Sequence, residues 1–318
     1  MTRAKTLIVP THPGVQYHFC RVGLPTYFLG NWDQFQYWRP RLPNVHDLVP
    51  KFDDAQLEWG PADFSRLLDE MDLGQFDLAW LMFNWQFTLF RERRNIPKLY
   101  RVSKVRELTE AEWDHILGRD DFTVVSFYPN TVAWVKEKFG VELPYIPLGL
   151  DTSAYGGWTG EDATILSIIH SWKDRGWHHH TYLEATDGLP TTHVDHLDAS
   201  KPVQRYEDIQ RALRRSRLYL HDGEQEYTIT LIEAMMTGMP VVAFRIPGIE
   251  RYVIHGKNGF VVDDAKSLRE SCRLLLDDAD LAKKMGRESR AMAERDYAED
   301  RWQRDWIAAI DRFVSRSR

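Results

Sequence analysis

The chain has 318 residues, enough for two domains of ordinary size that each bury a core, and a formal net charge of −6 that argues against general nucleic-acid binding. Its 2 cysteines, Cys20 and Cys272, exclude a disulfide framework and a cysteine-based metal centre and point to a reducing cytoplasm. No apolar run is long enough to span a bilayer, and the opening MTRAKTLIVPTHPG is a strand start, not a signal peptide.

In chain order, residues 6–10 form a first strand that ends in the turn His12-Pro13-Gly14. Apolar strands are predicted at 76–83, 98–102 and 122–127, and a helix at 130–139. After the phrase Tyr145-Ile146-Pro147-Leu148-Gly149-Leu150-Asp151 comes a strand at 163–170. A polar turn, Ser171 to Gly176, leads into a helix through Glu184. One strand at 191–197 and a helix at 206–216 precede the strand Leu218 to Leu220. A helix then opens at Thr228 to Thr230, Gly238 and Pro240 stop it, and the buried strand Val241-Val242-Ala243-Phe244 follows. A final helix carries Trp302, Trp306, Ile310 and Phe313 near helical spacing, a core-packing stripe. Strands alternating with helices predict an α/β protein with parallel sheets.

The segment from His221 to Val262 is the most informative. A helix N-terminus aimed out of a strand-end crevice presents unpaired N–H groups and partial positive charge, which suits a diphosphate. QEYTITLIEAMMTGMPVV followed by PGIERYVIHGKNGFVV resembles, in type and spacing, the donor-binding segment of retaining GT-B glycosyltransferases, specifically glycosyltransferase family four.

The resemblance implies two Rossmann-like domains with parallel sheets facing across a cleft. They would comprise residues 1–149 on the acceptor side and 150–300 for the nucleotide sugar, with 301–318 a helix returning to the first domain. Residues 145–151 resemble the family's interdomain linker. The implied activity is transfer of a hexose-type sugar from a nucleoside-diphosphate sugar to a hydroxyl acceptor, with retention and without a metal. A non-catalytic GT-B module that binds nucleotide or glycan, or a nucleotide-sugar epimerase, are the alternatives.

Two glutamates eight residues apart mark the family. By resemblance the second, Glu233, meets the nucleotide ribose. Its other reading is a capping box, reaching back to the Thr230 N–H. At the first position, which meets the transferred sugar, this chain has Gln225. A turn shifted by one residue would bring Glu226 there instead, and a developing cationic sugar favours that carboxylate over a neutral amide. Backbone N–H groups of Tyr227, Thr228 and Ile229, with Thr230 beside them, would face the diphosphate.

Ser171 to Gly176 resembles the family's diphosphate-gripping turn. Arg175 falls on its lysine and His170 close to its arginine, and Lys173 stands ready as a further cation. Gly14 would let the first turn approach the phosphates. On the acceptor side, His12, His18, Asn84 and Trp85 are the candidates. Between Gly188 and Tyr206 the chain is shorter than the family pattern, which leaves the nucleotide unreadable.

No metal is expected. Asp278-Ala279-Asp280 lacks a preceding strand, and His178-His179-His180 point round a helix. No cofactor is expected either, since the donor is a substrate. The acceptor would be a carbohydrate or a lipid-linked molecule. The run from Arg91 to Arg106 is either a solvated face or a peripheral contact with an anionic head group at the inner face of a membrane.

Overall fold

The computed structural model describes residues 4–11, 13–32, 41–48, 60–102, 108–168, 179–194, 206–221 and 227–317. The chain separates into two compact units, Met1–Gly149 with Asp300–Arg318, and Leu150–Glu299.

The first unit is built on a six-stranded sheet of order β3-β2-β1-β4-β5-β6, with every pairing parallel. The strands are β1 (Thr6–Ile8), β2 (Thr26–Leu29), β3 (Val45–Leu48), β4 (Leu78–Leu81), β5 (Lys98–Val102) and β6 (Phe122–Ser126). This is the doubly wound Rossmann order, in which helices cover both faces and strands are buried on both sides. Every residue of β1, β4 and β5 is buried accordingly. Helices α1 (Pro13–Cys20), α2 (Pro61–Asp69), α3 (Asn84–Phe90), α4 (Glu110–Leu117) and α5 (Pro129–Phe139) connect them.

Two strands end earlier than expected, and one pair of glutamines explains both. Gln86 Oε1 accepts the N–H groups of Met82 (2.8 Å) and Phe83 (3.1 Å), so β4 stops at Leu81. The Val9 carbonyl is taken by Gln86 Nε2 at 2.9 Å and by Gln16 Nε2 at 2.7 Å, so β1 stops at Ile8. The elements at residues 26–29, 45–48, 61–69, 84–90 and 110–117 are not among those predicted from the chain.

The last helix, α11 (Glu299–Ser317), belongs to this unit over its length from Asp300. Trp302, Trp306 and Ile310 are buried in a cluster with Ile8, Phe19 and Trp80. Phe19 stacks on Trp80 at 4.7 Å and meets Trp306 edge-on at 5.1 Å. Trp32 and Trp80, 0% and 1% exposed, are thus core residues.

The second unit has a five-stranded, all-parallel sheet of order β11-β10-β9-β7-β8. Its strands are β7 (Asp162–Ile168), β8 (Thr191–Val194), β9 (Ser216–His221), β10 (Val241–Phe244) and β11 (Gly259–Val262). The helices are α6 (His179–Thr186), α7 (Tyr206–Arg215), α8 (Ile229–Thr237), α9 (Ala265–Asp277) and α10 (Ala279–Tyr297). The chain enters and leaves side by side, with Leu150 N–H donating to the Tyr297 carbonyl (2.8 Å) and Glu299 N–H to the Leu150 carbonyl (3.0 Å).

Helix α8 is apolar almost all round, and everything from Leu231 to Thr237 is buried, as expected of a helix inside a core. It stops at Gly238, whose φ of 103° is left-handed and whose N–H bonds to the Ala234 and Met235 carbonyls. Helix α10 crosses close by. A Cβ on its Gly286 would stand 2.2 Å from the Gly238 carbonyl oxygen, so only glycine permits that approach.

Candidate functional site

The site candidate lies in the second unit, at the carboxyl end of β9, where open α/β sheets bind ligands. Residues 222–226, which include Gln225 and Glu226, fall outside the described residues, as do His12, His170, Lys173 and Arg175.

Thr228, in extended conformation, caps α8, and its Oγ1 accepts the Leu231 N–H at 3.1 Å. The Thr228 carbonyl takes the Ile232 N–H at 3.3 Å. The first helical N–H groups, those of Ile229 and Thr230, have no intrahelical acceptor by helix geometry. Side-chain oxygens line the same end: Tyr219 OH donates to Thr230 Oγ1 (3.1 Å), which is 3.2 Å from Thr228 Oγ1. Two aligned N–H groups at the positive end of a helix, beside hydroxyls that can donate or accept, suit a phosphate group.

The cap overturns one reading of Glu233. Because Thr228 and not Thr230 is the N-cap, Glu233 lies too far into α8 to close a capping box. Its carboxylate Oε1 instead accepts the Tyr155 hydroxyl at 2.6 Å, across a sequence separation of 78. Tyr155 OH is also hydrogen-bonded to Tyr206 OH. Glu233 is 3% exposed. Burial first, then the negative Glu233 carboxylate, raises the Tyr155 hydroxyl well above the ordinary tyrosine range, so it stays a donor. Sequence reasoning missed Tyr155, which has no local signal linking it to Glu233.

Tyr227 is 1% exposed, its ring packed against Tyr252 (5.6 Å) and Tyr297 (6.5 Å). Its ring is a core element. In the family-like segment that follows, Asn258 is a turn-former. Its Oδ1 accepts the Ile254 N–H (2.7 Å) and its Nδ2 donates to the Tyr252 carbonyl (2.8 Å).

In the first unit, Gly14 lies in the first turn of α1. His18, in the last turn of that helix, is 2% exposed and lines a small cavity with Phe19, Trp80 and Arg101. Its ring is therefore buried, not exposed at the end of the first loop. Asn84 opens α3 and is exposed, while Trp85 stacks on Phe64 at 5.8 Å.

The basic run from Arg91 to Arg106 needs correction at two positions; Arg91 and Arg94 are exposed, and Lys104 and Arg106 lie outside the described residues. Lys98 and Arg101 lie on the doubly covered strand β5 and are buried, not solvated. Lys98 pairs with Asp121 at 2.5 Å, and the Arg101 guanidinium lies over the Phe127 ring at 3.3 Å. Arg93 pairs with Asp69, and Arg91 with Glu92.

Asp278 is the N-cap of α10, accepting the Leu281 N–H at 2.9 Å, so Asp278-Ala279-Asp280 is a helix start. Among the described residues, no group of three or more His, Cys, Asp or Glu is arranged to hold a metal ion. No described helix is long and apolar enough to cross a membrane.

The fold is that of GT-B glycosyltransferases: an α/β protein with two parallel sheets, matching solved structures over nearly the whole chain. An Anabaena protein, HepE, solved with UDP and glucose, superposes with a TM-score of 0.70 at 14% identity, covering 97% of this chain and 99% of that one. Sucrose-phosphate synthase of Thermosynechococcus elongatus gives a TM-score of 0.70 at 12% identity, covering 98% and 99%.

Within that fold, residues 195–292, which hold β9, α8, β10 and β11, match the family Glycosyl transferases group 1. An uncharacterized glycosyltransferase of Haemophilus influenzae is 29% identical over 117 residues, 36% of this chain. That match spans 33% of the relative's own length.

Proposed function

We propose that the protein is a glycosyltransferase that moves a hexose-type sugar from a nucleoside-diphosphate sugar to a hydroxyl acceptor, retaining anomeric configuration. The observation that carries this reading is the α8 N-terminus, where the Ile229 and Thr230 N–H groups lie one helical turn ahead of the buried Glu233. Diphosphate and ribose are joined by a single C–O bond in a nucleotide, so one helix that offers N–H groups and then a carboxylate meets both in order.

Cleavage of the sugar–phosphate bond builds negative charge on the leaving diphosphate and positive charge on the sugar. Fixed N–H groups stabilise the first without reorganisation at the moment of reaction. Arg175 and Lys173 supply the cationic half of that grip, in place of a metal. Glu226, or Gln225 if the turn keeps the family register, faces the sugar. The group 1 match over this segment and the resemblance of its motifs support the reading, and the structurally similar HepE, solved with UDP and glucose, makes a UDP-sugar the first donor to try. The acceptor is a carbohydrate or a lipid-linked hydroxyl.

The test is to incubate the protein with UDP-, GDP- and ADP-sugars, with and without simple glycan acceptors, and to measure released nucleoside diphosphate. Acceptor-dependent release with a glycoside product supports the proposal. Binding without release would make the protein a non-catalytic module, and a changed sugar on an intact nucleotide would make it an epimerase.

A further inference from the structure

The segment that carries Tyr155 is held unusually firmly for a loop. Asp151 Oδ1 accepts the N–H and the hydroxyl of Ser153 (2.8 and 2.6 Å). Arg214 donates to the carbonyls of Gly156 (3.0 Å) and Ala154 (3.2 Å). Arg290 donates to the Tyr155 carbonyl (3.0 Å), to the Thr152 carbonyl (3.1 Å) and to the Met236 carbonyl in α8 (2.7 Å). One guanidinium therefore ties the backbone of Tyr155 to the helix that bears Glu233. Gly156 makes room for it. Its φ is 127°, and a Cβ there would stand 2.4 Å from Arg290 Nη1.

Donor and acceptor of the Tyr155–Glu233 bond are thus both anchored through their backbones, and the 2.6 Å bond is that of a hydroxyl on a charged acceptor. Since the Tyr155 proton is given to Glu233, the bond with Tyr206 must run from the Tyr206 hydroxyl to the Tyr155 oxygen. The chain Tyr206 to Tyr155 to Glu233 is polarised in one direction, each bond strengthening the next.

A core carboxylate needs some donor, and an amide or a backbone N–H would serve for solubility in the fold. A tyrosine clamped by two arginines does more, because it sets the plane of the carboxylate before any ligand arrives. Recognition of two vicinal ribose hydroxyls depends on that plane. We propose that Tyr155 is a positioning residue of the donor site, whose hydroxyl holds the Glu233 carboxylate in the orientation that accepts the ribose hydroxyls, with Tyr206 reinforcing it. The inference rests on the reading of Glu233 as the ribose ligand.

The experiment compares wild type with Tyr155→Phe, which keeps the ring and removes the donor. Each is titrated calorimetrically with UDP, GDP and ADP, and with the 2′,3′-dideoxy forms of the same nucleotides. Wild type should prefer the ribonucleotide. In Tyr155→Phe, affinity for the ribonucleotide should fall about tenfold, the scale of one hydrogen bond to a charged group. Affinity for the deoxy forms should stay within about twofold, so that the ribose preference collapses. Tyr206→Phe should give the same pattern more weakly, and nothing further once Tyr155→Phe is present.

An equal fall for ribo and deoxy ligands would reduce Tyr155 to support of the fold and overturn the proposal, as would an intact ribose preference. Wild-type protein that binds these nucleotides without any ribose preference would instead remove Glu233 from the ribose. Wild-type protein that binds none of them would count against the nucleotide-sugar reading itself. Either result sinks the Tyr155 proposal as well, at an identifiable earlier step.

Discussion

Thr228 Oγ1 accepts the N–H of Leu231 at 3.1 Å, three residues into the helix it caps. That bond closes the third N–H of α8 and leaves those of Ile229 and Thr230 facing outward, so the cap defines which donors a ligand can meet. Thr228→Ala should therefore lower stability by about 1 kcal/mol. Thr228→Ser should restore it, since the serine hydroxyl caps equally well. Urea denaturation of the three proteins reads this directly, and an unchanged midpoint in Thr228→Ala would mean the cap contributes nothing.

Glu233→Ala should weaken nucleotide binding by an order of magnitude or more. It also leaves the Tyr155 hydroxyl without its carboxylate, so stability should drop by about 1–3 kcal/mol. Calorimetry on folded protein separates the two effects. Affinity that stays put per folded molecule would exclude Glu233 from the ligand.

Arg175→Ala should reduce turnover far more than it reduces binding of the free nucleoside, because a guanidinium acts on the diphosphate and not on the base. Chelators should leave activity intact. Complete loss of activity with EDTA that added metal reverses would contradict the metal-free grip.

Glu226→Gln should cost about 10²-fold or more in turnover if Glu226 supplies the carboxylate that faces the sugar. Full activity in Glu226→Gln alongside a dead Gln225→Ala would instead assign that role to Gln225. Steady-state rates for the two variants decide it.

Asp121 bridges Lys98 (2.5 Å) and Arg119, and Lys98 is fully buried. Burial pushes the Asp121 carboxyl up, but hydrogen bonds from Arg119 and Lys98 outweigh it and hold the pKa at about 2, below the ordinary 3.8. A depressed carboxyl pKa contributes stability that is complete above pH 3.8 and lost as the pH falls towards 2. Asp121→Asn should flatten that part of the acid-denaturation curve. At neutral pH it should cost about 3–5 kcal/mol, because the Lys98 charge is left buried and unpaired. A neutral-pH midpoint equal to wild type would show that Lys98 finds another partner or loses its proton.

Much of the second unit was legible in the chain because its signals are local. The cap at Thr228, the stop at Gly238 and the buried strand 241–244 are separated by a few residues each, and their backbone requirements hold in any surroundings. The aromatic stripe of α11 was likewise readable as a core face, since helical spacing alone brings Trp302, Trp306 and Ile310 together. The first unit was harder. β2 and β3 have four residues each, and β3, Val45-His46-Asp47-Leu48, carries polar side chains on an edge strand, so no apolar run announces them.

By itself the sequence determined the alternation of strands and helices, the parallel α/β class and the segment from His221 to Val262. Periodicity, capping and turn chemistry act over a few residues and survive without knowledge of the rest. Only the tertiary structure decided which partners the buried charges find: Tyr155 for Glu233 across 78 residues, and Asp121 for Lys98 across 23. A buried carboxylate or ammonium must be paired, but which distant side chain answers depends on how sheets and helices stack, and no local pattern encodes that.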